Sequence, residues 1–488
     1  MNKKPFYITT TLPYVNAEAH MGHALEFIRA DIIARWKKIS GYDVFFNTGT
    51  DEHGTKISEA AEKAGKEPKA YTDEYAAKFR ELLPLLGMSP DIHFIRTTDA
   101  HHEAAAQEFW KRVEKNGYIY KKNYKAKYCV GCEENKTESE LVDGRCPIHP
   151  NREIQVIEEE NYFFKFSSFG DKLIALYDEK DDRKRHHIVP EFRMNEMREF
   201  IKRGLEDFSI SRLKSKMSWG IPVPGDEAHV MYVWFDALTN YISTLGWPED
   251  TAAFDRFWRD GTPTQYCGKD NTRFQSVMWQ AMLMAAGLPP THTVVVNGFV
   301  TGDGGVKMSK SLGNVANPVD IIREYGTDAL RYFVAREILP FEDSPFTAER
   351  FKQAYNTNLA NGLGNLVSRI MKMATTYFPE APVIKHDSYN EVISKQCGEF
   401  LDSFDIKSAS EMIMSLISVT DDLIQVKQPF KVFKTSPDEA REIVKVLLDN
   451  LLTISTMLLP ILPETAETIQ ALVRGNKMPD APLFLRKD

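Results

Sequence analysis

The chain has 488 residues, 43% of them hydrophobic and 27% charged, which is typical of a folded globular protein; this length suggests about three domains. The formal net charge of −8 argues against a protein that coats nucleic acid indiscriminately, although a local basic face could still bind an RNA. No apolar run approaches the ~18 residues of a membrane span, and no signal-peptide pattern precedes the first strand. We therefore expect a cytoplasmic protein.

The first predicted elements are a β-branched and aromatic strand at residues 6–11 and a helix with apolar residues at helical spacing up to residue 36. His20 and His23 lie between them, three residues apart on the first helical turn, and Gly22 would let a flat ligand approach the backbone. A helix N-terminus also favours phosphate. The run predicts a nucleotide site, with helix caps, surface residues or metal ligands as the alternatives.

A second short strand at residues 44–46 leads into a polar, glycine-bounded loop at residues 48–54. Such strand ends hold the ligand in open α/β sheets. Asp51 in this loop is placed to receive an amino group, and equally to cap the helix that follows. Two further helices are predicted, over residues 68–86 and 100–116.

Three of the five cysteines fall within eighteen residues, in the pattern Cys-x2-Cys-x13-Cys-x2-His. Cys129, Cys132, Cys146 and His149 form two close pairs that could close a tetrahedron around one structural Zn²⁺. The alternative is a coincidence of unrelated thiols. A zinc knuckle can also bind nucleic acid on its own, so this motif alone supports an RNA-binding module as well.

The middle of the chain predicts a strand at residues 158–165, charged helices up to residue 204, a proline-rich loop at 219–225 and a buried strand at 230–238. Its aromatic residues either wall an apolar pocket or simply belong to the core. Two more strands, at 265–270 and 293–298, flank a helix at 273–287. Alternating strands and helices predict an α/β fold with a doubly wound parallel sheet in two halves, 6–116 and 230–299, separated by the metal-bearing insertion.

A glycine-flanked loop at residues 302–314 contains Lys307-Met308-Ser309-Lys310-Ser311. Two lysines three apart, with two serines, suit the β- and γ-phosphates of ATP, and the flanking glycines would let the loop move. In isolation such a loop could equally be a solvated basic segment.

From residue 346 to residue 488 the pattern is entirely helical and predicts an all-α helix bundle. A bundle that binds RNA and a generic dimerisation bundle are both compatible with it. Because the chain stops soon after the last predicted helix, we expect a monomer.

Taken together, these motifs resemble class I aminoacyl-tRNA synthetases, whose His-Ile-Gly-His and Lys-Met-Ser-Lys-Ser elements stand here at residues 20–23 and 307–311. More closely, the chain is similar to the short-form methionyl-tRNA synthetases with a single zinc knuckle. The resemblance runs nearly end to end. It rests further on residues 13–16, 49–54, 232–237 and 268–270, on the knuckle and on the final helices.

The resemblance implies a role for each matching residue. The methionine pocket would consist of Leu12, Tyr14, Asp51, Trp234, Ala237, Tyr241 and Phe274. ATP would be bound by His20, Gly22, His23, Gly268, Asp270, Val300 and Lys310. Catalysis would rest on His20, His23, Lys307 and Lys310, with Mg²⁺ bound to ATP. The tRNA anticodon would be read by Asn365, Arg369 and Phe430.

The implied domain order is a Rossmann-like catalytic domain in two halves followed by the bundle. Its parts would be residues 1–116, the insertion 117–229 with the knuckle at 129–149, residues 230–299, a mobile loop and stem-contact region at 300–345, and an anticodon-binding domain at 346–488. The insertion has only about 110 residues, so no separate editing domain is expected, although an apolar pocket discriminates by only ~1–3 kcal/mol per methylene.

Four residues depart from the common family pattern. Asn271 and Gln275 stand where many relatives carry an apolar residue and a histidine, and Asn297 replaces a common histidine. Phe430 stands where tryptophan is usual, and it can still stack on a base, though with a smaller face.

The implied function is ligation of methionine to tRNA(Met), including the initiator tRNA, through methionyl-adenylate. Two alternatives come from other classes: a zinc-dependent RNA-binding module without catalysis, and an adenylyl transferase that needs no tRNA. Within the class, a cysteinyl, valyl or leucyl enzyme is the nearest rival.

Overall fold

The computed structural model describes residues 3–136, 138–182, 184–305 and 316–488. The chain divides into two compact units. The first consists of Met1–Glu18, Asp43–Glu81 and Asp91–Val296, and the second of Ala19–Tyr42, Leu82–Pro90 and Asn297–Asp488.

The described strands fall into one parallel sheet and several small sheets. They are β1 Pro5–Thr10, β2 Asp43–Thr50, β3 His93–Arg96, β4 Ile119–Cys129, β5 Glu134–Lys136, β6 Gln155–Phe164, β7 His187–Val189, β8 Phe208–Ser209, β9 Ser211–Leu213, β10 Pro222–Val223, β11 Asp226–Met231, β12 Thr264–Gly268, β13 Thr293–Asn297, β14 Val300–Thr301 and β15 Ser344–Pro345.

The α-helices range from one turn to six turns. They are α1 Met21–Ile39, α2 Thr55–Lys63, α3 Pro68–Leu85, α4 Ala100–Lys115, α5 Gly170–Tyr177, α6 Glu191–Lys202, α7 Val233–Ala237, α8 Asn240–Ser243, α9 Trp279–Ala285, α10 Pro318–Tyr325, α11 Thr327–Tyr332, α12 Ala348–Ala354, α13 Asn365–Tyr377, α14 Ser388–Asp402, α15 Ile406–Lys427, α16 Pro429–Val432, α17 Pro437–Leu458 and α18 Pro463–Gly475. π-Helical turns at Phe254–Arg259, Phe274–Met278, Phe333–Glu337 and Tyr355–Gly364 and short 3₁₀ turns complete the regular structure.

The first unit is built on a six-stranded sheet in the order β3-β2-β1-β12-β13-β7. Strand β1 pairs in parallel with β2 and β12, β2 with β3, and β13 with β7. This confirms the doubly wound parallel sheet, whose neighbouring central strands come from both predicted halves. Strand β7 adds a finding, because it lies within the predicted insertion and yet forms the edge of the same sheet. Three residues are too short a run for sequence periodicity to reveal.

The insertion also carries a long antiparallel pair, β4 with β6, that leads to the knuckle. One of its cross-strand pairs places opposite charges face to face, with Lys125 of β4 opposite Glu158 of β6 at 3.2 Å. Opposite charges placed directly across from one another favour this register. The predicted acidic strand edge is therefore matched by a basic neighbour.

One predicted strand is wrong. The run 230–238 continues β11 only to Met231, and Val233–Ala237 forms helix α7 instead. A fully apolar run cannot be assigned to strand or helix by periodicity alone. In helix α7, Asp236 forms hydrogen bonds with two buried histidines, His53 and His102.

The second unit contains α1, the helices from α10 to α18 and the two-stranded pair of β14 with β15. Helices α13, α14, α15, α17 and α18 pack on one another, which confirms the all-helical pattern predicted for the last third of the chain. Within the described ranges, no helix combines the length and the apolar character that crossing a bilayer requires.

Candidate active site and metal centre

Helix α1 in the second unit begins at the predicted histidine pair. The N–H of Gly22 donates to Nδ1 of His20 at 3.1 Å, and the N–H of His20 donates to Nδ1 of His23 at 3.2 Å, so the two rings cap the helix. The rings stack with their centroids 3.9 Å apart. Burial, and then the neighbouring His20, hold the pKa of His23 well below its usual range.

Asp51 in the first unit is a buried carboxylate, only 4% exposed. It extends β2 by a parallel bridge to Tyr14, so both side chains project from one sheet edge. Its Oδ1 is buried and has no hydrogen-bond partner within the described residues. Burial, followed by the carboxylates of Asp236 and Glu133, raises the pKa of Asp51 well above its usual range. A buried oxygen of this kind is suited to a cationic ligand.

Two of the predicted pocket aromatics in the same unit are in contact. The rings of Trp234 and Phe274 stack with centroids 4.0 Å apart and planes 7° apart. Tyr241 is buried and meets Trp279 edge-on. Leu12 and Ala237 are buried as well.

A buried network near Asp51 escaped the sequence prediction. The Asp236 carboxylate joins His53 at 2.7 Å to His102 at 2.8 Å, and His102 also contacts the hydroxyl of Ser243 at 2.9 Å. Despite the desolvation, the two histidines keep the pKa of Asp236 low. His53 and Asp236 stand inside motifs noted in the sequence, but nothing local shows that they touch across the fold.

The residues predicted to surround ATP are spread over both units. Gly268 ends β12 and Asp270 lies in the following 3₁₀ turn, at the carboxyl end of a central strand. Val300 lies in β14 of the second unit. Lys307 and Lys310 fall outside the described residues.

Two of the departing residues have clear structural roles. Gln275 is buried in the π-helical turn Phe274–Met278, where its amide receives a hydrogen bond from Gln265 at 3.1 Å and donates one to Thr11 at 2.8 Å. In the second unit, Asn297 accepts from Arg29 at 3.0 Å. Both amides therefore stabilise the chain around them.

The four predicted metal ligands converge at the tip of the insertion. Their donor atoms all lie within 4.8 Å of one another, with Cys132 Sγ 3.5 Å from Cys146 Sγ and 3.3 Å from His149 Nδ1. Edges of about 3.5–3.8 Å follow from tetrahedral Zn–S and Zn–N bonds. A Cβ at Gly131 would lie 2.3 Å from the His149 ring, so only glycine fits between the ligands. The cluster could hold a metal ion.

The predicted anticodon residues lie on helices of the second unit. Asn365 is exposed and Arg369 half-buried, one turn apart at the start of α13, and Arg369 forms an ion pair with Asp421 of α15. Phe430 follows a left-handed Gln428 and is 46% exposed, which is unusual for a phenylalanine. Among the described residues, no hydrogen bond, ion pair or ring contact links Phe430 directly to Asn365 or Arg369.

Comparison with known families decides the assignment. A family model described as class I tRNA synthetases (M) matches residues 6–371, and one described as the anticodon binding domain of methionyl tRNA ligase matches residues 386–481. The chain belongs to the methionyl-tRNA synthetase family.

Individual members of this family are similar over nearly the whole chain. Methionine–tRNA ligase of Clostridium acetobutylicum is 42% identical over 96% of this chain and 73% of its own length. That of Caldanaerobacter subterraneus is 40% identical over 95% of this chain and 73% of its own length. The Mycobacterium tuberculosis methionyl-tRNA synthetase in complex with methionyl-adenylate has a TM-score of 0.91 at 35% identity, covering 99% of this chain and 100% of its own.

Proposed function

We propose that the chain activates L-methionine with ATP to methionyl-adenylate and pyrophosphate, and then transfers methionine to the 3′ end of tRNA(Met), including the initiator. The observation that carries this proposal is the buried Asp51 carboxylate, one oxygen of which lacks a hydrogen-bond partner among the described residues, in the same unit as the stacked rings of Trp234 and Phe274. An amino acid with an ammonium group and an uncharged side chain matches that combination of charge and apolar surface.

On the methionine side, Asp51 would bind the ammonium group, and Leu12, Tyr14, Trp234, Ala237, Tyr241 and Phe274 would contain the side chain. The buried Nε1 of Trp234, which has no hydrogen-bond partner within the described ranges, remains available to a ligand atom. Selectivity then rests on shape, because an apolar pocket separates near isosteres by only about 1–3 kcal/mol.

On the nucleotide side, His20, Gly22, His23, Gly268, Asp270, Val300 and Lys310 would bind ATP. A methionine carboxylate is already nucleophilic, so its in-line attack on the α-phosphorus needs no general base. Acceleration comes from positioning and from charge stabilisation of the pyrophosphate that leaves, for which His20, His23, Lys307 and Lys310 are the proposed catalytic groups. Mg²⁺ bound to ATP would neutralise further phosphate charge.

We propose that Cys129, Cys132, Cys146 and His149 hold one structural Zn²⁺. Three soft thiolates and one imidazole are the donor set that zinc prefers, and four protein ligands leave no position for a reacting water. Zinc would therefore stabilise the insertion and take no part in the reaction.

The helical part of the second unit would bind the tRNA anticodon through Asn365, Arg369 and Phe430. The match of residues 386–481 to a methionyl anticodon-binding domain supports this role. We retain the proposed division into 1–116, 117–229, 230–299, 300–345 and 346–488, and a monomeric, cytoplasmic enzyme, as parts of the same hypothesis.

ATP–pyrophosphate exchange with each of the twenty amino acids tests the proposal. We expect exchange with methionine alone, followed by charging of a tRNA(Met) transcript. Exchange with another amino acid would still support a class I aminoacyl-tRNA synthetase but would reject the proposed methionine pocket. If zinc-loaded protein shows no exchange with any amino acid, and tRNA does not restore it, the enzymatic function is rejected in favour of an RNA-binding module.

A further inference from the structure

Glu133, the residue directly after Cys132 of the knuckle, has an unusual position. It is 2% exposed, and its backbone adopts a left-handed conformation with φ of 53°. A non-glycine residue with positive φ is strained and persists only where its surroundings hold it in place. A buried carboxylate is unfavourable as well unless its oxygens are bonded. Two unfavourable features at one residue call for a compensating set of contacts.

The Glu133 carboxylate has two such contacts, both outside the knuckle. Oε1 accepts from the backbone N–H of Lys56 at 3.0 Å, in the first turn of α2. The N-cap residue of that helix is Gly54, which has no side chain to cap it, so Glu133 supplies an anionic cap from a distant part of the chain. Oε2 lies against the hydroxyl of Tyr14 in a short hydrogen bond. The backbone carbonyl of Glu133 accepts from Tyr232 at 2.7 Å.

These contacts close tightly around one glycine. A Cβ on Gly54 would lie 2.6 Å from the hydroxyl of Tyr14 and 2.9 Å from Oε2 of Glu133, and Gly54 itself has φ of 110°. The three residues are therefore packed without space for a larger side chain. Gly54 follows the loop of Asp51 and His53, and the Tyr14 hydroxyl is also 2.9 Å from the carbonyl of His53.

We propose that Glu133 is a positioning residue for the amino acid substrate: the insertion supplies a carboxylate that fixes the ring of Tyr14 and the loop from Asp51 to Gly54 in the arrangement that receives methionine. This inference rests on the proposed function, since Tyr14 and Asp51 are there assigned to methionine. The inference adds Glu133, a residue of the knuckle segment, to the residues that shape the proposed methionine site. Glu133 itself touches no reacting atom.

Fixing the Tyr14 ring and the loop gives a reason for keeping the Glu133 carboxylate buried. Rotation of a tyrosine ring or a small movement of a loop displaces the ligand groups, and misplacement by about 1 Å can lower a rate by roughly 100-fold. Glu133 bonds both movable parts at once, one oxygen to each. Loss of the carboxylate should therefore weaken methionine binding and leave ATP binding unchanged.

The test compares Glu133→Gln and Glu133→Ala with the matched control Glu138→Gln. Glu138 lies five residues further along the same segment, but its carboxylate is exposed and pairs with Lys127 at 2.5 Å. The measurements are zinc content by mass spectrometry, KM for methionine and for ATP in pyrophosphate exchange, and methionine affinity by calorimetry without ATP. A Tyr14→Phe background tests whether Glu133 acts through the hydroxyl.

For Glu133→Ala we expect the KM and the dissociation constant for methionine to rise about 10-fold or more, with the KM for ATP within about twofold and zinc retained. Glu133→Gln should show a smaller rise, because an amide can still accept from Lys56. Adding Glu133→Ala to Tyr14→Phe should raise the KM further by much less than 10-fold. Glu138→Gln should match the wild type throughout.

Three results would overturn the inference. One is an unchanged methionine affinity in zinc-loaded Glu133→Ala. Another is an equal rise in the KM for methionine and ATP, which indicates a general structural role. The third is loss of zinc in both Glu133 variants, which would show that Glu133 stabilises the zinc knuckle and not the methionine site. A wild-type protein without methionine-dependent exchange would instead reject the proposed function, so the two failures are distinguishable.

Discussion

Two buried aspartates, one in each unit, differ in their hydrogen-bond partners and in the direction in which their pKa values are shifted. Asp31 of α1 in the second unit has both oxygens fully bonded. Oδ1 accepts from the backbone and hydroxyl of Ser89 at 2.8 and 2.7 Å, and Oδ2 accepts from Arg35 and Arg331, both at 2.8 Å. These partners outweigh desolvation and lower the pKa of Asp31 below its usual range. Asp51 in the first unit keeps one oxygen without a partner among the described residues, and its pKa is raised.

The difference separates a carboxylate whose hydrogen-bond partners are complete from one with an oxygen that has no partner among the described residues, which is the carboxylate proposed to bind the ligand. A buried charge whose partners are complete makes the packing specific, and removing one member leaves the others unsatisfied. A buried carboxylate without a cation weakens the folded state, and such a group persists where function requires it. The predictions below test this contrast, beginning with the largest expected effect.

Asp31→Asn should destabilise the protein by about 3–5 kcal/mol, because it leaves the fully buried Arg331 guanidinium without its anionic partner. Since the folded state lowers the pKa of Asp31, its contribution is present above the unfolded value near 3.8 and is lost as the pH falls through the lowered value. Urea unfolding followed by circular dichroism measures the loss. A urea midpoint equal to that of the wild type at pH 7 would show that the Asp31 carboxylate does not stabilise the folded state.

Asp51→Asn should lower kcat/KM for methionine by about 30-fold to several thousand-fold, since truncating one member of a buried charge pair removes about 2–5 kcal/mol of binding. Its stability should be equal to or above that of the wild type. The raised pKa means that the ionised Asp51 weakens the folded state as the pH rises from 3.8 through the raised value. Pyrophosphate exchange and urea unfolding of the same preparation measure both effects. A variant that loses stability and activity together contradicts the contrast.

Phe430→Ala should lower kcat/KM for tRNA charging by about 5- to 150-fold. This range corresponds to about 1–3 kcal/mol, the usual contribution of one base stacked on an aromatic ring. Because Phe430 is 46% exposed, neither stability nor methionine-dependent pyrophosphate exchange should change. Phe430→Trp is the matched control and should charge tRNA at least as well as the wild type. Equal charging by all three proteins would exclude a stacking role.

The smallest effect concerns pH. If Asp51 binds the methionine ammonium as proposed, it must be ionised to do so. Because its pKa is raised, kcat/KM for methionine should fall as the pH is lowered toward the usual carboxyl range, by about tenfold per unit below the pKa. The dependence should be absent from kcat/KM for ATP at saturating methionine. A methionine profile that stays flat down to pH 5 would show that Asp51 titrates as an ordinary carboxyl group.

The chemistry-bearing motifs were predictable because each is local. The histidine pair at the start of α1 and the two close pairs of metal ligands follow from spacing over a few residues. The run 230–238 was partly mispredicted, since an unbroken apolar run has no period that separates strand from helix. The His53–Asp236–His102 network and the edge position of β7 were missed because they depend on residues far apart in the chain.

By itself, the sequence determined the family, the parallel α/β sheet, the helical C-terminal region and the residue types of the proposed sites, since periodicity and short motifs are properties of neighbouring residues. Only the tertiary structure decided that both oxygens of Asp31 are bonded whereas Oδ1 of Asp51 has no partner among the described residues, and that Glu133 reaches Tyr14 and α2. Burial and hydrogen-bond partners set the energy of a carboxylate. Both are fixed by contacts between segments that folding brings together, so identical side chains acquire opposite roles.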